Sequence, residues 1–124
     1  MQVLFLCPHG AAKSVIAAAM FNDLARRRHL DITASSAGSE PDDEINPIAV
    51  EALMARQLPI PDAPQLVTKH HVERADIVVS LGCAIDTLPT RPRRWVDWSD
   101  APAASEDIDG LCELITHRLE TLLP

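Results

Sequence analysis

No apolar run in this chain approaches the roughly 20 residues that a membrane-crossing helix needs, which excludes a helical span. No basic segment precedes the first apolar run, and that run is too short for a secretory signal. Cysteine is scarce: Cys7, Cys83 and Cys112 form an odd set at wide spacing. That excludes a secreted disulfide framework and fits a reducing compartment, so the expectation is a cytoplasmic protein. Positive charge is in deficit, with 11 Lys and Arg against 18 Asp and Glu, a formal net charge of −7. Nucleic acid and anionic lipid are therefore not expected as general partners. What is present is enough apolar material, 47% of 124 residues, for one domain over residues 1–124 with one compact core.

Apolar patterning orders the chain. Residues 2–6 are continuous, short and apolar, the mark of a buried parallel strand. Ile16, Met20 and Leu24 recur at four-residue spacing and predict a helix from 14 to about 29, with Arg26, Arg27, Arg28 and His29 in its last turn, complementing the dipole. Residues 31–36 suit a second strand, and Ala37-Gly38 a break. Asn46-Pro47 reads as cap and first helical position of a helix running to about 57. Residues 67–74 suit a short helix capped by Thr68, 75–81 a third strand, 82–92 a loop, 94–98 a fourth strand, and 106 to about 123 a last helix. The acids at 40–44 and 106–109 read as solvated surface. Strands alternating with helices predict an α/β fold with a parallel sheet, whose strand-end loops share one edge.

The most informative segment follows the first strand: Cys7-Pro8-His9-Gly10-Ala11-Ala12-Lys13-Ser14. A strand–loop–helix junction offers unpaired backbone N–H groups and the positive end of the helix dipole to an anion. Gly10 permits a positive φ that helps successive N–H groups turn inward, and Lys13 adds a full charge. The same field favours the thiolate of Cys7, and a thiolate under an oxyanion cradle attacks phosphorus, or a comparable oxyanion such as arsenate, in line. Ser14 is placed to cap the helix or donate to the sulfur. A competing view makes Cys7 a buried strand-end cysteine. A nucleotide-binding loop is disfavoured, since it needs glycine where Ala12 and Cys7 stand. His9, His70 and His71 match no zinc spacing, so neither metal nor cofactor is expected.

Residues 3–14 resemble the active-site loop of low-molecular-weight protein tyrosine phosphatases and the related thiol-dependent arsenate reductases. The likeness continues through Ser36-Ala37-Gly38-Ser39-Glu40-Pro41, Ile45-Asn46-Pro47, residues 75–83 and Asp97-Trp98-Ser99-Asp100, in the same order along the chain. It implies a three-layer fold, a four-stranded parallel sheet flanked by helices. It further implies Cys7 as nucleophile, residues 8–14 as oxyanion cradle, Lys13 in the place of the phosphate-binding arginine and Ser14 as support for the thiolate. Lysine offers a point charge where arginine offers a planar fork. The family's general acid is an aspartate directly before a proline. Here Ala101 precedes Pro102, and the resemblance implies Asp100, one residue earlier, with Asp97 as the alternative.

The activity so implied is hydrolysis of phosphate monoesters, phosphotyrosine among them, through a phosphocysteine. The alternatives are arsenate reduction with an external small thiol, or an oxyanion-binding regulatory relative with little catalysis. Phosphate, arsenate or a phosphorylated substrate, and a small-thiol reductant, are the implied partners. Cys83, on the same sheet edge, is a candidate redox partner for Cys7; Leu88 stands before Pro89 where a second relay cysteine would be. Cys112 is expected to be structural. The lack of tyrosine removes an aromatic residue that often lines phosphotyrosine pockets.

Overall fold

The computed structural model describes residues 1–123. In chain order its elements are β1 (Gln2–Leu6), α1 (Lys13–Arg27), β2 (Thr33–Ala37), α2 (Pro47–Ala55), α3 (Lys69–Arg74), β3 (Ile77–Ser80), β4 (Trp95–Asp97) and α4 (Ile108–Leu119). The strands form one parallel sheet in the order β2-β1-β3-β4. Because β1 is central, its connections leave towards opposite sides, and the crevice beyond its carboxyl end is where ligands of such sheets collect. Cys7 is the first residue past that end.

The continuous apolar run of β1 is explained by burial on both faces. Val3 and Phe5, followed by Cys7, point into the larger core with Val15, Ile16 and Phe21 of α1, Leu53 of α2, and Leu111 and Ile115 of α4. Leu4 and Leu6 point the other way, onto Val67, Val72, Val78 and Cys83. Each such leucine or phenylalanine taken from water stabilises the fold by about 1.5–3 kcal/mol. Among the described residues, no helix is long and apolar enough to cross a membrane.

Several boundaries differ from the expectation. Ala37 is the last, fully buried residue of β2 rather than part of a break, and its carbonyl accepts the Cys7 N–H at 3.3 Å. Helix α1 starts one residue early, ends at Arg27, and turns out through His29 at φ 55°. Its basic run serves ion pairs as well as the dipole: Arg26 and Arg27 hold Asp23, and Arg28 holds Glu120 beyond α4. The loop after β3 contains one 3-10 turn, Ile85–Thr87. The expected caps are present: Asn46 Oδ1 accepts from the Ile48 N–H at 2.9 Å, and Thr68 and His71 bond reciprocally across the first turn of α3.

Candidate active site

Strand β1 ends, the chain turns at Gly10 with φ +59°, and α1 begins at Lys13. The turn is closed by a 3.2 Å bond from the Gly10 N–H to the Cys7 carbonyl. The outer side of this loop is gripped by the segment that joins β2 to α2. N–H groups of Glu40, Asp42 and Asn46 donate to the carbonyls of Pro8, His9 and Ala11 at 2.8, 3.0 and 3.0 Å. In a trans peptide the C=O and the following N–H point oppositely. These bonds therefore turn the His9 and Ala12 N–H groups away from the gripping segment. No side chain caps the α1 N-terminus, so its first-turn N–H groups stay available to an anion.

The two loops meet at paired glycines. A Cβ on Gly10 would lie 2.9 Å from the Gly38 nitrogen, and one on Gly38 would lie 2.6 Å from the Gly10 nitrogen and 2.8 Å from the Pro8 oxygen. The Ser36-Ala37-Gly38 segment thus lets the two backbones touch, which a side chain at either glycine would prevent.

Cys7 and Ser14 are both buried, with Sγ and Oγ 3.0 Å apart, so the hydroxyl is placed to donate to the sulfur. Above them lies a cavity of about 170 Å³ lined by Cys7, Pro8, His9, Ala11, Ala12 and Lys13 on the cradle side. Asp42 and Asn46 line one wall, and Ala103, Ala104 and Ser105 the facing one. Lys13 crosses towards that wall, its Nζ donating to the Ala101 carbonyl at 3.2 Å. At the rim His9 Nδ1 stands 3.2 Å from Asp42 Oδ1.

Cys7, His9, Lys13 and Ser14 are therefore brought together as the sequence suggested; Asp100 and Asp97 are not among the cavity's lining. Both carboxylate oxygens of Asp100 are taken by Arg118 of α4, at 2.7 and 2.6 Å. That fork holds the Asp100 carboxyl below its usual range. The pair's contribution to stability is accordingly present at neutral pH and lost as pH falls through that lowered range. Asp97 accepts the Ser99 N–H at 2.8 Å. Both aspartates face a separate shallow depression with Trp98 and Arg118. Trp98 itself is core, 4% exposed, packed on Phe5 with the Arg118 guanidinium over its ring.

Cys83 is buried beside Ser39, 3.8 Å from its hydroxyl, and its backbone is clamped by Ser80 Oγ. Burial pushes the Cys83 thiol up; Ser39 opposes this and the charge of Cys7 adds to it. All three cysteines are free thiols. Cys112 lies in the core of α4, where burial also raises its thiol. Sequence reasoning missed Asp42, Asn46 and the small-residue wall at 103–105. The run 40–44 read as solvated charge and its acids are exposed, and its backbone bonding to the cradle is what brings Asp42 to the cavity.

The sequence profile described as low molecular weight phosphotyrosine protein phosphatase matches residues 2–93. That stretch contains the cradle, the gripping segment and Cys83, and stops before β4 and the two displaced aspartates. The chain is 30% identical over 83 residues to a protein-arginine-phosphatase of Bacillus subtilis (strain 168), covering 65% of this chain and 55% of that protein. A thioredoxin-dependent arsenate reductase from Corynebacterium glutamicum is 33% identical with a TM-score of 0.77, over 98% of this chain and 59% of that one. The chain thus spans little more than half the length of either. YfkJ from Bacillus subtilis superposes with a TM-score of 0.84 at 21% identity, over 98% of this chain and 91% of that one, a likeness of fold alone. With the profile matching about three quarters of its length, from the first strand through the cysteine cradle, the chain belongs to the low molecular weight phosphotyrosine protein phosphatase family.

Proposed function

We propose that the chain hydrolyses phosphate monoesters through a phosphocysteine on Cys7. The observation that carries this reading is the buried thiol 3.0 Å from the Ser14 hydroxyl, at the floor of a cavity rimmed by an uncapped helix N-terminus and Lys13. The cradle 8–14 would hold the three equatorial oxygens with backbone N–H groups and the Lys13 ammonium. Ser14 would stabilise the sulfur as thiolate and as leaving group. Asp100 would serve as general acid only after leaving Arg118. The small walls, Ala11, Ala12, Ala103 and Ala104, present no aromatic face to a phenol. Three unpaired thiols suit the reducing cytoplasm proposed as its compartment. The test is rapid-quench turnover of an aryl phosphate. A burst of phenol, with phosphate bound to Cys7 by mass spectrometry, is expected; no burst and no turnover between pH 5 and 8 overturns the reading.

A second reading, arsenate reduction with an external thiol, is favoured by one feature. Cys83 is buried close enough to Cys7 to feel its charge. On this reading the thiolate of Cys83 or of a small thiol attacks the sulfur of a Cys7–arsenate adduct, an S–S bond forms, and the S–As electron pair leaves with arsenic as arsenite. Arsenate-dependent oxidation of glutathione or of reduced thioredoxin, lost in Cys83→Ser with thioredoxin, is the expected outcome. Absence of oxidation with either reductant removes this reading.

A further inference from the structure

Breaking a P–O bond to a poor leaving group needs a proton at the departing oxygen, and that oxygen lies opposite the attacking sulfur, at the cavity mouth. Asp100 is held by a two-pronged bond to Arg118 and faces a different depression. The ionisable groups that line the Cys7 cavity are His9, Lys13 and Asp42 besides the cysteine itself. Lys13 serves the anion as a positive point charge. Its ammonium is also engaged by Ala101. His9 has the chemistry the position needs: imidazole is the side chain most often used to give and take a proton in catalysis. It sits at the rim, with side chains of His9 and Asp42 64% and 52% exposed. A pair so exposed adds little stability; its value lies in orientation. Asp42 Oδ1 lies 3.2 Å from Nδ1, an ion-pair contact on that side of the ring, which leaves Nε2 as the nitrogen placed to meet a leaving group. The bond from the Asp42 N–H to the His9 carbonyl fixes the two residues backbone to backbone as well.

We propose that His9, oriented by Asp42, is the proton donor to the leaving group at this site, in place of an aspartate from the loop after β4. This rests on the hydrolase reading above. The Cys7 thiolate attacks phosphorus and the S–P bond forms. The P–O bond breaks, and its electron pair goes to the departing oxygen, which takes the Nε2 proton of the His9 imidazolium. Water then attacks the phosphocysteine and gives its proton to the neutral Nε2. The new O–P bond forms, and the S–P pair returns to sulfur. Alcohol and inorganic phosphate are released, and both side chains regain their starting states. His9 touches the reacting atom and is catalytic; Asp42 is a positioning residue. The ionisable groups that share the cavity with the ring are Cys7 and Lys13 of the cradle and Asp42 of the gripping segment, whose exposed neighbours along the chain are Glu40, Asp43 and Glu44. The facing wall, 103–105, contributes none.

The experiment compares phenyl phosphate, a poor leaving group, with dinitrophenyl phosphate, a good one. His9→Asn is expected to lower the burst rate, which reports Cys7 phosphorylation, about a hundredfold on phenyl phosphate and less than tenfold on the dinitrophenyl ester. Asp42→Asn should lower the burst rate on phenyl phosphate with the affinity for inorganic phosphate unchanged, and Asp42→Glu should restore much of that rate. Equal losses of burst rate on both esters in His9→Asn, with phosphocysteine still formed, overturn this assignment alone. So does a leaving-group-dependent loss in Asp100→Asn instead. Failure of the wild type to form phosphocysteine removes the hydrolase reading and this assignment together.

Discussion

Cys7→Ser is expected to lower aryl phosphate turnover by at least about a thousandfold while phosphate binding stays within a few-fold of wild type. The side chain is nearly isosteric, so the bond to Ser14 and the turn through Gly10 have no steric reason to change. What changes is the nucleophile. A serine hydroxyl has no nearby general base here, since the atom paired with it is another hydroxyl. It would attack phosphorus as a neutral alcohol or not at all. On the proposed function, binding would depend on the cradle amides and the Lys13 ammonium, which the substitution leaves in place. The check is paired: steady-state turnover on an aryl phosphate and calorimetric titration with inorganic phosphate. Turnover within tenfold of wild type would remove Cys7 from the chemistry. Loss of binding together with turnover would mean that the sulfur is part of the anion site.

The second large effect belongs to a residue with no side chain. Gly38→Ala is expected to destabilise the fold by about 2–3 kcal/mol. It should lower Tm on the order of 10 °C and reduce turnover by tenfold or more. The new methyl would meet the Gly10 nitrogen at 2.6 Å, the Pro8 oxygen at 2.8 Å and the His9 carbonyl carbon at 2.9 Å. All three are backbone atoms of the cradle and none can rotate aside. Relief requires the β2 end and the cradle to separate, which breaks the bonds that Glu40 and Asp42 donate to Pro8 and His9. A cradle shifted by about 1 Å loses in-line geometry, a loss commonly near a hundredfold in rate. Thermal denaturation and ester turnover on the same preparation check this. A Tm within about 2 °C of wild type would show that the contact is slack.

Parts of this architecture are written locally. The residues of β1 and β3 are apolar almost throughout because both sheet faces are covered, so composition alone marks them. Asn46-Pro47 and Thr68 announce helix starts by side-chain chemistry that acts within three residues. The cradle is legible because cysteine, glycine, lysine and serine fall between a strand and a helix. Strand β2, with the polar sequence Thr-Ala-Ser-Ser-Ala, is an edge strand, and its extent is decided by register against β1 rather than by its own pattern. The fate of Asp100 is decided by Arg118, eighteen residues away on another element. No spacing within the loop reveals that pairing. Asp42 was hidden for the converse reason: a run of charges reads as surface, and it is surface, yet one member leans over the cavity mouth.

The bond from Lys13 to Ala101 has a consequence for how the two ends of the sheet communicate. An ammonium has three donors, and one of them holds the backbone that follows β4. The remaining two belong to the same nitrogen and are open to whatever the cradle receives. An anion arriving there draws on the charge that also steadies the far wall. The lysine is therefore a tie-rod between the loop after the first strand and the loop after the last, and on the proposed function an anion in the cradle would be felt at residue 101 through that one atom.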